Sequence, residues 1–73
     1  MKTAGKLRIN GEIREFAPDA FPDNLAVLVE SLGLEPALVV VELNGEIVKR
    51  DSYAARIFSD GDNVEIVRLV GGG

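Results

Sequence analysis

Alternation and helical spacing divide the chain into short elements. Leu7-Arg8-Ile9 alternates apolar and polar positions and runs into Asn10-Gly11, a strong hairpin signal. Ile13 to Phe16 alternates again and reads as the return strand. A two-residue turn sets Ile9 opposite Glu12, and a three-residue loop sets Ile9 opposite Ile13. The second register is expected, because neighbours on one face of a sheet should both be apolar. Ala17 to Asp23 carries two prolines and two aspartates and reads as a loop. Asp23 or Asn24 then caps a helix. Leu25, Leu28, Val29 and Leu32 follow at i, i+3, i+4 and i+7, one apolar stripe, and Gly33 is placed to end the helix in a left-handed conformation.

Leu38 to Leu43 is rich in β-branched residues and reads as a central strand, with Val39, Val41 and Leu43 on one face and Val40 and Glu42 on the other. Asn44-Gly45 is a second turn signal, and Glu46-Ile47-Val48 starts another strand. Asp51 or Ser52 is expected to cap a short helical turn through Tyr53, Ala54 and Ala55. Asp60-Gly61-Asp62-Asn63 is a third turn, Val64 to Val70 is the last strand, and Gly71-Gly72-Gly73 follows. The order β-β-α-β-β-β, with one helix to cover one face of a mixed sheet of four to five strands, predicts an α+β fold of the β-grasp type. The first and last strands then lie side by side and parallel at the centre, with the helix in the long connection between them. No internal repeat or linker interrupts residues 7–73, which are read as one domain with a flexible tail at 71–73; residues 1–6 are read as a short extension.

Composition narrows the chemistry. With 73 residues the chain makes one domain with a modest core. It has no cysteine, so neither a disulfide nor a thiolate metal site is available, and no histidine, the commonest metal ligand and the usual base near neutral pH. A net charge of −4 with no basic stripe argues against nucleic acid and for a protein partner with a basic patch. The longest apolar run, Ala37 to Val41, is far short of a membrane span, and Met1 to Lys6 lacks the apolar stretch of a signal peptide, so a soluble cytoplasmic protein is expected. Ser31, Ser52 and Ser59 fall at predicted caps, helix ends or turns, where hydroxyls bond local backbone. Asp60 and Asp62 supply too few oxygens for a hard cation, and no glycine-rich phosphate loop is present. No metal and no bound cofactor is expected.

What remains is the triple glycine. A globular core gains nothing from it, and the plain alternative is a frayed end or leftover linker. The functional alternative is a probe: three residues without side chains can thread a narrow channel in another protein, and a terminal carboxylate, ionised at neutral pH, can attack the α-phosphate of ATP in a partner's active site.

A β-grasp pattern ending in Gly-Gly resembles the ubiquitin-like sulfur carriers, and more narrowly the ThiS-like sulfur carriers of thiamine biosynthesis. The resemblance is carried by Ile9-Asn10-Gly11-Glu12, by Leu25 to Leu34, by Val41-Glu42-Leu43-Asn44-Gly45-Glu46-Ile47-Val48, and by Asp60 to Val70 running into the glycines. It covers Leu7 to the last residue. Lys49 stands before Arg50 where the family often has proline.

The resemblance implies that the chain is not an enzyme but a carrier. A ThiF-like adenylating enzyme would use ATP to activate the Gly73 carboxylate. Sulfur drawn from cysteine by a desulfurase would convert it to a thiocarboxylate, and thiazole synthase would take that sulfur. Gly71 and Gly72 match the family's tail. Strand parity puts Val67 and Leu69 outward beside that tail as an apolar partner-binding patch, extended by Val40. Arg68 falls on the core side near the strand end, where it can snorkel out and orient the tail. The nearest alternatives are the small subunit of molybdopterin synthase, another sulfur carrier, and a ubiquitin-like modifier conjugated through Gly73.

Overall fold

The structure is a computed structural model that describes residues 5–69. Five strands, β1 (Gly5–Ile9), β2 (Glu12–Phe16), β3 (Val39–Leu43), β4 (Glu46–Val48) and β5 (Asn63–Arg68), form one sheet in the order β2-β1-β5-β3-β4. A single α-helix, α1 (Leu25–Ser31), and two 3₁₀ turns, Pro36–Leu38 and Arg50–Ala55, complete the described elements. β1 and β5 pair in parallel while every other pairing is antiparallel. This is the β-grasp arrangement expected from the chain pattern.

Local chemistry explains each boundary. Asn24 caps α1, its side-chain Oδ1 accepting the Val27 N–H at 2.9 Å, so of the two candidate caps the asparagine is used. At the other end Gly33 adopts φ 74°. Its N–H reaches the Glu30 carbonyl and the Leu34 N–H reaches that of Val29, the pair of bonds that closes a helix through a left-handed residue. Pro36 opens the first 3₁₀ turn, which takes Leu38 out of the strand assigned to it, so that β3 begins at Val39. β1 begins at Gly5 rather than Leu7, so two residues read as extension belong to the sheet. Asp60 Oδ1 accepts the Lys6 N–H at 2.7 Å, and a Cβ on Gly5 would sit 2.7 Å from the Phe21 ring. The second 3₁₀ turn is not capped by Asp51 or Ser52. Lys49 occupies the cap position without a side-chain bond, and its carbonyl accepts the Ser52 N–H.

The register of the first hairpin differs from the expected one. Ile9 lies opposite Glu12, and Ile13 lies opposite Arg8. Asn10 and Gly11 take φ 50° and 84°, the left-handed pair of a two-residue hairpin turn, and Asn44-Gly45 does the same between β3 and β4. The expectation that Ile9 and Ile13 share a face failed because the covered layer does not reach β2. Four of that strand's five residues are exposed, so no apolar face constrains its register.

Under α1 the inward faces of the other strands meet in one cluster. Leu7, Ile9, Val39, Val41, Leu43, Val48, Val64 and Ile66 pack against Leu25, Leu28 and Val29, with Leu32 half-buried at the margin. Tyr53 and Phe58 fill one end. Phe16, Phe21 and Phe58 make a chain of edge-to-face rings, centroids 5.8 and 6.4 Å apart, with Phe58 in the core and Phe16 and Phe21 packed against it.

Both Asn-Gly turns also hold β5. Asn44 Oδ1 accepts the Asn63 N–H at 2.9 Å. Asn10 Oδ1 accepts the Ile66 N–H at 2.7 Å, standing in for a backbone carbonyl where β1 has ended. Replacing Asn10 with glycine keeps the turn geometry but leaves the part-buried Ile66 N–H without its acceptor. We expect a loss of about 1–3 kcal/mol in urea unfolding for Asn10→Gly, and a smaller loss for Asn10→Asp, which keeps the acceptor.

Candidate functional site

No group of three or more Asp, Glu, His or Cys side chains converges among the described residues. The acidic turn is committed to folding. Asp60 Oδ1 takes the Lys6 amide, Asp62 Oδ2 takes the Ser59 amide at 2.8 Å, and Asp62 Oδ1 takes Asn44 Nδ2 at 3.1 Å. Ser31 bonds the Leu28 carbonyl, a local backbone role as expected. No helix among the described residues is long and apolar enough to cross a membrane.

Burial raises the Tyr53 phenol above its ordinary value of 10.0, and the nearby Arg50 charge opposes that shift. A phenol that ionises less readily when folded costs nothing below its unfolded pKa. As pH climbs past 10, the unfolded chain ionises first and stability falls until the folded phenol follows. The alkaline limb of a stability–pH curve is therefore expected to be shallower in Tyr53→Phe than in the native protein, with no difference at neutral pH, read by urea midpoints across the range.

The sheet has a second face, and α1 does not cover it. Residues of β3 and β5 that point away from the core lie there in register: Val40 opposite Val67, and Glu42 opposite Glu65. Ile47 on β4 stands beside Glu42 and is 70% exposed. Val67 and Leu69 are 57% and 52% exposed, while Val40 is half-buried between neighbours. The structure thus brings Val40 and Val67 together and places Leu69 just beyond β5. Its N–H donates to the Leu38 carbonyl at 2.7 Å, the last described tie before the tail. Arg68 pairs with Val39 at the inner face but lies at the strand end and is exposed. Gly71, Gly72 and Gly73 lie outside the described residues. Ile47 belongs to this face and was not singled out from sequence. The signal was available, since the Asn44-Gly45 turn fixes the pairing of β4 and hence the side on which Ile47 falls. A shallow open groove of about 320 Å³ borders the face, lined in part by Pro36, Ala37, Val40, Ile47 and Arg50.

A five-stranded mixed sheet wrapped on one helix, with parallel first and last strands and one uncovered face leading to a glycine tail, defines a ubiquitin-like β-grasp domain. The model of the ThiS family matches residues 7–73, and the chain belongs to that family. The sulfur carrier protein ThiS of Bacillus subtilis is 36% identical over 67 residues, 92% of this chain and 98% of that protein. A thiazole synthase of Paramagnetospirillum magneticum is 44% identical over 68 residues, 93% of this chain. A thiazole synthase of Magnetococcus marinus is 34% identical over the same length. The chain spans only 20% of the length of each synthase. The crystal structure of a thiamine biosynthesis protein, ThiS, from Geobacter metallireducens superposes with a TM-score of 0.76 at 35% identity, covering 93% of this chain and 99% of that one.

Proposed function

We propose that this ThiS-family domain is a sulfur carrier for thiazole formation in thiamine biosynthesis, working in the cytoplasm and carrying its cargo on Gly73. The observation that carries the reading is the combination of family membership with a glycine triplet two residues beyond the central strand β5. A ThiF-like enzyme binds the tail and ATP. The Gly73 carboxylate oxygen attacks the α-phosphorus, pyrophosphate leaves, and an acyl-adenylate results. The outer sulfur of a desulfurase persulfide, drawn from cysteine, displaces AMP to give an acyl disulfide, and a thiol in excess, such as free cysteine, reduces that disulfide to the thiocarboxylate that thiazole synthase consumes. This chain brings no base, metal or cofactor to those steps. It supplies a backbone slim enough to enter an active site and a rigid body that sets where the backbone goes. The two thiazole synthase relatives, each matching nearly all of this chain, favour the thiazole branch over molybdopterin synthesis, and they make the synthase the natural acceptor.

The test is an incubation with the adenylating enzyme, ATP, cysteine and desulfurase, followed by intact-mass measurement. The expected product is the chain with one oxygen replaced by sulfur. Conjugates to partner lysines in place of that product would turn the assignment to a protein modifier.

A further inference from the structure

We propose that the free edge strand β2 pairs with the β2 of a second copy of this chain, antiparallel about a two-fold axis at Ile13, so that the two sheets run on as one. The proposal goes beyond the carrier reading and does not depend on it.

β2 is the outermost strand on its side of the sheet and is bonded to β1 alone. The Asn10-Gly11 turn makes Ile9 and Glu12 the hydrogen-bonded pair beside it, and bonding alternates from there. Glu12, Arg14 and Phe16 therefore turn their backbone N–H and C=O toward β1, while those of Ile13 and Glu15 point out from the edge. Such an edge is a template for another strand. Its side chains suit that use. Ile13 lies on the uncovered face, 59% exposed, with Arg8 opposite it and no apolar cross-strand neighbour. Glu12 and Arg14 lie on the other face, across from Ile9 and Leu7. Both are exposed, and neither makes an ion pair among the described residues. The opposite edge, β4, is only three residues long and is soon followed by a 3₁₀ turn, which leaves Ile47 as its one outward residue.

The order of side chains selects the second copy and the register. A two-fold axis perpendicular to the sheet sets each residue opposite one on its own face, which leaves alignments centred on Ile13, Arg14 or Glu15. Centring on Arg14 puts that guanidinium against its copy and Ile13 against Glu15. Centring on Glu15 puts like carboxylates opposite each other. Centring on Ile13 brings the two isoleucines together and sets Glu12 of each copy opposite Arg14 of the other. Unlike charges and apolar residues directly across a ladder stabilise it, and like charges weaken it. The same alignment carries Phe16 and the loop after it past the second copy's Asn10-Gly11 turn, clear of the paired segment. β1 separates β5 from the contact, so the pairing leaves the central strands and the face beside them open.

One short strand from each copy makes a contact below the roughly 1,200–2,000 Å² of a lasting interface, so the expected dissociation constant is on the order of 0.1–1 mM. Sedimentation equilibrium and amide-resolved NMR on the full native chain, from about 20 μM to about 2 mM, span that value. The average mass is expected to rise from one chain toward two, with shift changes and slowed amide exchange centred on Ile13. E12R and R14E are each expected to weaken the association about tenfold or more, because two attractive pairs become repulsive. The double variant E12R/R14E restores unlike charges in swapped order and is expected to return to within about threefold of the native value. A thermal melt of each variant checks its fold, and the native measurements decide the matter whatever those melts show. A native chain that stays single over the whole range would overturn the proposal. So would concentration-dependent shifts centred on Val40, Val67 and Leu69, which would put a second copy on the uncovered face, or a folded double variant that associates no better than the single ones.

Discussion

Removing Gly72 and Gly73 is expected to abolish sulfur acceptance while leaving the folded domain unchanged. Two residues of extended chain span about 7 Å, so truncation withdraws the reacting carboxylate by that distance from wherever the partner holds ATP. A misplacement of about 1 Å can cost a hundredfold in rate, which makes a loss beyond a thousandfold the natural expectation. Adding one alanine after Gly73 should be equally damaging, because it moves the carboxylate outward and adds a Cβ to a tail that has none. The body of the domain does not register either change. Among the described residues the last in the core is Ile66, and the last backbone tie is from Leu69 to Leu38. Intact-mass analysis after enzymatic loading and a thermal melt on the same samples make the comparison. A truncated chain that still took up sulfur would remove Gly73 from the mechanism.

The second large effect is on folding. Leu28 is 1% exposed and lies on the inner side of α1, within the cluster formed with the central strands. Leu28→Ala keeps the helix, because alanine has the highest helical propensity, so the change isolates packing. Deleting a buried leucine side chain typically costs about 2–5 kcal/mol. A 73-residue domain has on the order of 4–11 kcal/mol in total, so this one cavity consumes a large part of the margin. The urea midpoint should fall steeply with the slope unchanged. Val27→Ala, one residue away on the 42%-exposed side of the same helix, should change stability by less than about 0.5 kcal/mol. Equal losses for the two would mean that the helix does not pack through the face described here.

Most of the architecture was legible before any coordinates. Asn10-Gly11 and Asn44-Gly45 marked hairpins because few other residues accept two consecutive left-handed positions. The stripe Leu25-Leu28-Val29 marked the helix face, and Val39, Val41 and Leu43 alternated as a half-covered strand must. The outward side of Val67 and Leu69 followed from the same parity.

The sequence by itself therefore determined the elements, their order, the inward residue of nearly every pair and the glycine triplet that the carrier reading depends on. These are properties of neighbours along the chain, set by local dihedral preference and by periodicity. Tertiary structure alone decided how far the covered layer extends, and with it that β2 needs no apolar partner for Ile13. It also decided which amides lack a backbone acceptor, and so gave Asn10 its bond to Ile66. Finally, it made two glutamates far apart in sequence direct neighbours on an open face. Those facts depend on which segments meet after the chain closes, and spacing along one strand carries no information about the strand that will lie beside it.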